Sequence, residues 1–411
     1  MTVTEHSWPD HPAAPSDLVV APHDWPALTP TELARARRAG QSKRWHAVGP
    51  DHLALGVADM DLPSPPMALQ AIEDRLRHPI LGYHRLLPTL PEQVSQWYVR
   101  HTGWKPDPDA MAVLPFGLKT AIRLLLETLA DRNHPVVVLT PCYDGLRRVG
   151  RDATCGLVEV PLTRGPDLAY GLDIELLRAR ILATGARTLL LCNPHNPLGR
   201  VWSIDELRSL AGLAEELDLL VVSDEVHSPL THPGRRHHPW PLVARHDRWA
   251  VASSLGKAFN VSGIAGSWLI CGRPAERAPL LRALKSWGHH QGSLLGDQVM
   301  DACLRHGDDW LAERTALVQR LVQHARRVLA RDAPSIGCAA PEAGYLLWLD
   351  LRRVVPASAP DDLSAYLEER CGLRLVAGAR FGGDHAGFAR MNVGTSWPVL
   401  DEALRRLGRL A

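Results

Sequence analysis

An α/β protein is expected for this 411-residue chain: a large domain with a mostly parallel sheet sandwiched by helices, plus a smaller α+β domain. Two observations lead there. From about Pro65 to Gly292, short apolar runs alternate with amphipathic helical stretches, as strands do when helices cover both faces of a sheet. Beyond Gly292 the alternation gives way to long helical patterning with isolated strand-like runs. The expected organisation is an irregular N-terminal arm over residues 1–25, a large domain over 65–292, and a small domain assembled from 26–64 and 293–411.

The elements follow in chain order. Residues 1–25 are rich in Pro, His and Asp and carry no periodicity. Thr29-Pro30-Thr31-Glu32 opens a helix, with Thr as cap, Pro at the first helical position and Glu three residues after the cap. Expected strands are Pro135–Thr140, Leu157–Pro161, Thr188–Cys192, Leu219–Ser223, Trp249–Ser253 and Ser267–Cys271. Between them lie helices such as Ile204–Glu216, whose apolar residues recur at three- and four-residue spacing. A long helix over Leu311–Arg331, a strand over Tyr345–Leu351, a helix near Leu363–Arg370 and a last helix from Pro398 complete the small domain. There is no internal repeat.

Composition narrows the function classes. Lys and Arg total 46 against 45 Asp and Glu, a net charge of +1, so no electrostatic case exists for nucleic acid or an anionic membrane. The seven cysteines are scattered and contain no C-x-x-C pair, which reads as free thiols in a reducing, cytoplasmic compartment without structural zinc. No apolar run approaches the roughly 18 residues of a membrane span.

Five lysines stand against a large excess of arginine: Lys43, Lys105, Lys119, Lys257 and Lys285. A guanidinium stays protonated and cannot act as an amine nucleophile, so a lysine kept at a strand end marks amine chemistry. Lys257 fits, since Ser253-Ser254-Leu255-Gly256-Lys257 follows the apolar run Trp249-Ala250-Val251-Ala252. Upstream, Leu189-Leu190-Leu191-Cys192 runs into Asn193-Pro194-His195-Asn196-Pro197, and Leu219-Leu220-Val221-Val222-Ser223 ends in Asp224-Glu225. Polar residues at the C-terminal ends of parallel strands are where open α/β sheets bind ligands. A lysine there can form a Schiff base with an aldehyde cofactor.

Those motifs resemble the fold-type I pyridoxal phosphate enzymes, the class I/II aminotransferase superfamily, and within it the MalY/PatB-type cystathionine β-lyase branch of carbon–sulfur lyases. The resemblance runs from about Arg44 to the C-terminus. It is carried by Val57-Ala58-Asp59-Met60-Asp61, Leu81-Gly82-Tyr83, Pro141-Cys142-Tyr143, Asn193–Trp202, Ser223–His227, His238-Pro239-Trp240 and Gly387–Asn392, in collinear order. It implies an aspartate aminotransferase-like fold with a seven-stranded sheet, pyridoxal 5′-phosphate as cofactor, and a homodimer with shared sites.

The resemblance also assigns roles. Lys257 is expected to bond the cofactor and move the proton at the substrate Cα, and Asp224 to pair with the pyridine nitrogen. Asn196 is expected beside the phenolic oxygen, with His227 near it, and Tyr143 against the ring face. Arg390 is expected to hold the substrate carboxylate, with Gly56, Ala58 and Asn196 bordering the substrate. The phosphate is expected at Gly117, Leu118 and Lys119, where a loop enters a helix N-terminus, helped by Ser254 and by Tyr83 of the second subunit.

Three features depart from that pattern. Many members carry Arg eight residues beyond the lysine, where this chain has Ala265, and Lys119 is a candidate replacement. Gly56 stands where relatives carry Trp, which predicts a wider substrate pocket. The segment Ser286–Ser293, with His289 and His290, is unusually polar for a region near a dimer interface. The expected reaction is β-elimination from an S-substituted L-cysteine to thiol, pyruvate and ammonia. A bulky S-conjugate is favoured, of the kind handled in sulfur-containing antibiotic pathways such as lincosamides. Oxidative decarboxylating deamination of such a conjugate and transamination remain open, with a non-enzymatic cofactor-binding regulator as the least favoured class.

Overall fold

The computed structural model describes residues 21–264, 266–289, 292–356 and 362–410. Most of the arm over 1–25, together with Ala265 and His290, therefore lies outside the described residues. Seven strands form the central sheet: β1 (Met111–Leu114), β2 (Val136–Thr140), β3 (Leu157–Pro161), β4 (Thr188–Cys192), β5 (Leu220–Asp224), β6 (Trp249–Ser253) and β7 (Ser267–Cys271). Their spatial order is β1-β7-β6-β5-β4-β2-β3. Strands β3, β2, β4, β5 and β6 run parallel, and β7 is antiparallel to both its neighbours.

Strands β2, β4 and β5 are buried along their whole length, as both faces are covered. Successive side chains point to opposite faces. Val137, Leu139, Leu189 and Val221 pack with Leu207 and Leu210 on one side. Val136, Val138, Leu190 and Val222 pack with Ile122 and Leu125 on the other. Within the central sheet, observed strand positions agree with the sequence expectations to within a residue, with one omission. Strand β1 is a four-residue edge strand, too short to show periodicity, and it is recruited by pairing with β7.

Local signals place the helices. At α1 (Pro30–Ala39), the Thr29 amide donates to Glu32 Oε2 at 2.9 Å and the Glu32 amide donates to Thr29 Oγ1 at 3.4 Å, closing a capping box. Helices α2 (Leu118–Leu129) and α3 (Asp144–Ala153) each start directly after a strand and a short loop. Ser203 and Glu206 form a second capping box at α4 (Ile204–Glu216).

The smaller region has a four-stranded antiparallel sheet of β8 (Gly337–Cys338), β9 (Leu346–Asp350), β10 (Val376–Ala377) and β11 (Phe388–Asn392), in the order β8-β9-β11-β10. It carries α5 (Asp308–Asp332), α6 (Leu363–Cys371) and α7 (Trp397–Leu407). Leu53–Ala54 pairs in parallel with Leu373–Arg374, which ties the N-terminal segment to this region. The chain that follows is held by Asp61. Its buried carboxylate accepts from Trp45 Nε1 at 2.9 Å and Thr395 Oγ1 at 2.8 Å and pairs with Arg44 and Arg37.

Candidate active site

Parallel registry brings the polar strand ends together. Cys192 on β4 lies opposite Asp224 on β5, and Asp224 lies opposite Ala252 on β6. The turns after these strands therefore emerge side by side. Asn196, Asp224, His227, Ser254 and Lys257 line one cavity of about 610 Å³, within the usual size of small-molecule sites.

The Asp224 carboxylate is buried and accepts from the Val226 amide at 3.1 Å. Burial pushes its pKa up to about 7, because an ion there has lost its solvation; the Val226 hydrogen bond opposes the rise. Lys257 Nζ donates to the Ala58 carbonyl at 2.6 Å, and that carbonyl also accepts from Tyr345 Oη at 3.1 Å. Burial holds the amine below its ordinary value, opposed by the Asp59 and Asp224 charges and assisted by Arg390. Asn392 on β11 steadies the segment above it, donating to the carbonyls of Val57 at 2.7 Å and Asp59 at 2.6 Å.

Arg390, also on β11, is the buried cation of the site. Its Nη1 donates to Asn196 Oδ1 at 3.1 Å and its Nη2 to the Gly56 carbonyl at 2.9 Å. The guanidinium lies 5.1 Å from the Phe381 ring centre, and Nε has no partner. Desolvation pulls its pKa down to about 10, the sign of a cation without a paired carboxylate among the described residues. Because Arg390 occupies Asn196 Oδ1, the amide orientation is set and Nδ2 faces His227 Nε2 at 3.3 Å. His227 Nε2 therefore accepts, and its proton sits on Nδ1. Burial lowers His227 to about 3, with Lys257 and Arg390 adding to the effect, so it is neutral.

Gly56 corrects an expectation. A Cβ there would meet Val376 Cγ2 at 3.2 Å and the Arg374 carbonyl at 3.4 Å. The glycine thus opens no pocket; its side-chain direction is closed by the chain leading into β10, and its contribution is a carbonyl to Arg390. Val57 and Ala58 line the cavity instead.

At the other end, Gly117 precedes α2 with no side-chain cap, and a Cβ at Gly117 would meet nothing within 4 Å. Gly117, Leu118, Lys119 and Thr120 line the cavity together with Ser254, Gly256 and Ser262. Ser254 Oγ accepts from the Gly256 amide at 3.2 Å, and Ser262 Oγ donates to the Gly256 carbonyl at 2.9 Å. Ser262 escaped sequence reasoning. Its one signal is a hydroxyl five residues after Lys257, in a turn. Tyr143, just before α3 and 38% exposed, presents its ring to the cavity. Gly145 makes this possible, since a Cβ there would collide with that ring.

Tyr83 does not join this chain's cavity. It is 99% exposed and borders a separate surface groove with Leu81, His84 and His289. His289 packs edge-on against Phe116 at 5.3 Å. The Ser223–His227 and His238–Trp240 motifs prove partly structural. Glu225 accepts from the Trp240 amide at 2.9 Å and His237 Nε2 at 3.1 Å, while Asn193 Nδ2 donates to the His238 carbonyl at 3.0 Å.

Cystathionine beta-lyase PatB of Bacillus subtilis (strain 168) is 29% identical over 381 residues, covering 91% of this chain and 97% of that protein. Cystathionine beta-lyase of Corynebacterium glutamicum is 26% identical, covering 89% of this chain and 95% of its own length. The solved structure of a PLP-bound C–S lyase from Staphylococcus hominis superposes with a TM-score of 0.82 at 24% identity, over 88% of this chain and 93% of that one, and bears on the fold alone. The family profile described as Aminotransferase class I and II matches residues 50–407. With its strand-end residues gathered on one cavity and that match spanning most of its length, the chain belongs to the class I and II aminotransferase family.

Proposed function

We propose that this protein is a pyridoxal 5′-phosphate-dependent carbon–sulfur lyase acting on S-substituted L-cysteines. The observation that carries the reading is the convergence on one cavity of the buried Asp224 carboxylate, the partly buried Lys257 amine and the buried Arg390 guanidinium, which has no ion-pair partner among the described residues. The residues suit the cofactor. A ring N–H beside Asp224 would relieve the burial that holds the carboxyl near 7. The opening amides of α2 and the hydroxyls of Ser254 and Ser262 offer donors to a phosphate, and Tyr143 offers an aromatic face.

When bound, the cofactor supplies an aldehyde for covalent capture of amines and a ring that accepts electrons from Cα. Lys257 is the group that would hold the cofactor and would take the proton from Cα. Its lowered pKa leaves more of the free amine at neutral pH. Asp224 would pair with the ring nitrogen and hold a proton there. Neutral His227, through Asn196, and Arg390 position the polar edge of the site, and Arg390 takes the substrate carboxylate in a two-pronged pair. Loss of the β-thiolate leaves a three-carbon unit that adds water, so that one cysteine conjugate and one water give thiol, pyruvate and ammonia.

The names of the relatives support lysis over transamination. The finer reading is a bulky S-conjugate such as those of sulfur-containing antibiotic assembly, and Gly56 gives it no support. A homodimer with shared sites is supported by Ile80, Leu81 and Tyr83, large side chains exposed together on one loop. A cytoplasmic setting is supported by seven free cysteines, and among the described residues no helix is long and apolar enough to cross a membrane.

The test is to incubate the holoenzyme with cystathionine and bulky S-alkyl cysteines, following thiol, pyruvate, carbon dioxide and oxygen together. Equimolar thiol and pyruvate support the lyase. Carbon dioxide with oxygen uptake and no pyruvate, or turnover that requires an added 2-oxo acid, overturns it.

A further inference from the structure

The cavity has a second guanidinium that the reaction does not use. Arg380 lies on the short 3-10 turn Gly378–Phe381, directly after β10, and lines the cavity with Arg390. Desolvation is the main cause of the lowered Arg390 pKa, and the Arg380 charge adds a smaller push in the same direction. The turn is fastened to the large domain. The Cys142 amide donates to the Phe381 carbonyl at 2.7 Å, and Arg147 Nη1 donates to the Arg380 carbonyl at 2.9 Å. Arg380 therefore projects from pinned backbone, although its side chain is 58% exposed.

Its charge is only partly balanced. Asp144, the first residue of α3, pairs with Arg380 at 3.2 Å and also with Arg148, and all three line the cavity. One carboxylate between two guanidiniums leaves a positive charge facing the opening. Val57 and Val376 add apolar surface to the same lining. A ligand fitting those surfaces has an α-carboxylate at Arg390, a thioether and methylenes against the valines, and an anion at Arg380.

Resting on the lyase reading above, we infer that Arg380, supported by Arg148, recognises a second anionic group at the distal end of the S-substituent. The preferred substrates are S-conjugates of cysteine ending in a carboxylate or another oxyanion. Discrimination between an acid and its neutral isostere is set at this rim, where a planar fork can pair with a carboxylate through two bonds. The rim is solvated, so the preference is moderate and sensitive to salt.

The experiment compares S-(2-carboxyethyl)-L-cysteine with S-(2-carbamoylethyl)-L-cysteine, which differ only in the terminal charge. The holoenzyme should favour the acid in kcat/KM by roughly tenfold at low ionic strength, equivalent to about 1.4 kcal/mol. That ratio should shrink with added salt. Arg380→Gln should bring it towards one, Arg380→Lys should keep part of it, and Asp144→Asn, which frees both guanidiniums, should raise it. Titrating the visible cofactor band with the same pair reads the preference without turnover. If neither compound releases thiol yet the band still reports preferential binding of the acid through Arg380, the lyase reading fails and the anion site stands. Equal constants for acid and amide in the wild-type protein, or an unchanged ratio in Arg380→Gln and Asp144→Asn, overturn the inference.

Discussion

Arg390 and Asn196 lie 194 positions apart in the chain and meet through a hydrogen bond of 3.1 Å from Nη1 to Oδ1. One stands on β11 of the small sheet and the other in the turn after β4 of the large one, so the bond ties both parts of the molecule at the cavity. It also orients the Asn196 amide, and through it the His227 tautomer. Replacing Arg390 removes the proposed substrate anchor and an orienting donor together. Arg390→Ala is expected to raise KM for amino-acid substrates by roughly 10–100-fold, the worth of about 1.5–3 kcal/mol for a charged hydrogen bond. Arg390→Lys should recover a minor part, since a point charge cannot hold both Asn196 and Gly56. Steady-state kinetics on both variants checks this, and a KM unchanged in Arg390→Ala would remove Arg390 from substrate binding.

Lys257 follows strand β6 and lines the cavity with Asp224 and Asn196. Lys257→Ala should abolish covalent attachment of cofactor and lower turnover by at least about 10²–10⁴-fold, the usual share of a proton-transferring group. Borohydride reduction followed by peptide mass spectrometry is the check. Cofactor still fixed to the Lys257→Ala chain would refute the role.

Asp224 links pH to stability. Its ordinary carboxyl value of 3.8 is raised to about 7 in the fold. A raised acid contributes stability that is fully present below about pH 3.8 and is lost as pH climbs through 7, because the folded state must then hold the ion in a dry site. Cofactor-free Asp224→Asn should therefore melt higher than cofactor-free wild type at pH 8, by roughly 2–4 °C for each kcal/mol relieved. The same variant should bind cofactor more weakly. Parallel melting curves for the two cofactor-free proteins between pH 4 and 8 would contradict the burial argument.

Gly56 separates a pocket role from a packing role. Since a Cβ would press on Val376 Cγ2 at 3.2 Å, Gly56→Ala should destabilise the fold by about 1–3 kcal/mol, the cost of overpacking. It should also disturb Arg390 through the Gly56 carbonyl. A variant of unchanged stability whose only effect is to exclude larger substrates would return Gly56 to the pocket wall.

Tyr83 tests the shared site. Heterodimers of Tyr83→Phe and Lys257→Ala subunits should regain activity that neither parent has, since one composite site is intact. Verified heterodimers as inactive as their parents would argue for sites built from one chain.

The strands and the residues at their ends were legible because they depend on neighbours in the chain. Leu189–Leu191 and Leu220–Val222 are continuous apolar runs, and the polar residues that halt them are the ones the parallel sheet delivers to its C-terminal edge. Lys257, Asp224 and Asn196 stood out as a series for that reason, and the family resemblance supplied their expected roles. Strand β1 could not, because four residues hold too little periodicity and pairing with β7 makes the strand. Ser262 sits in a turn whose path is set by contacts with Gly256, and Arg380 faces the cavity because Cys142 and Arg147 pin its backbone. Gly56 misled for the same reason. A missing side chain reads as empty space in a sequence, and only the approach of Val376, 320 positions away, shows that the space is filled. Backbone preference and hydrophobic period are properties of short segments; cavities, charge balance and steric closure belong to surfaces assembled from distant ones.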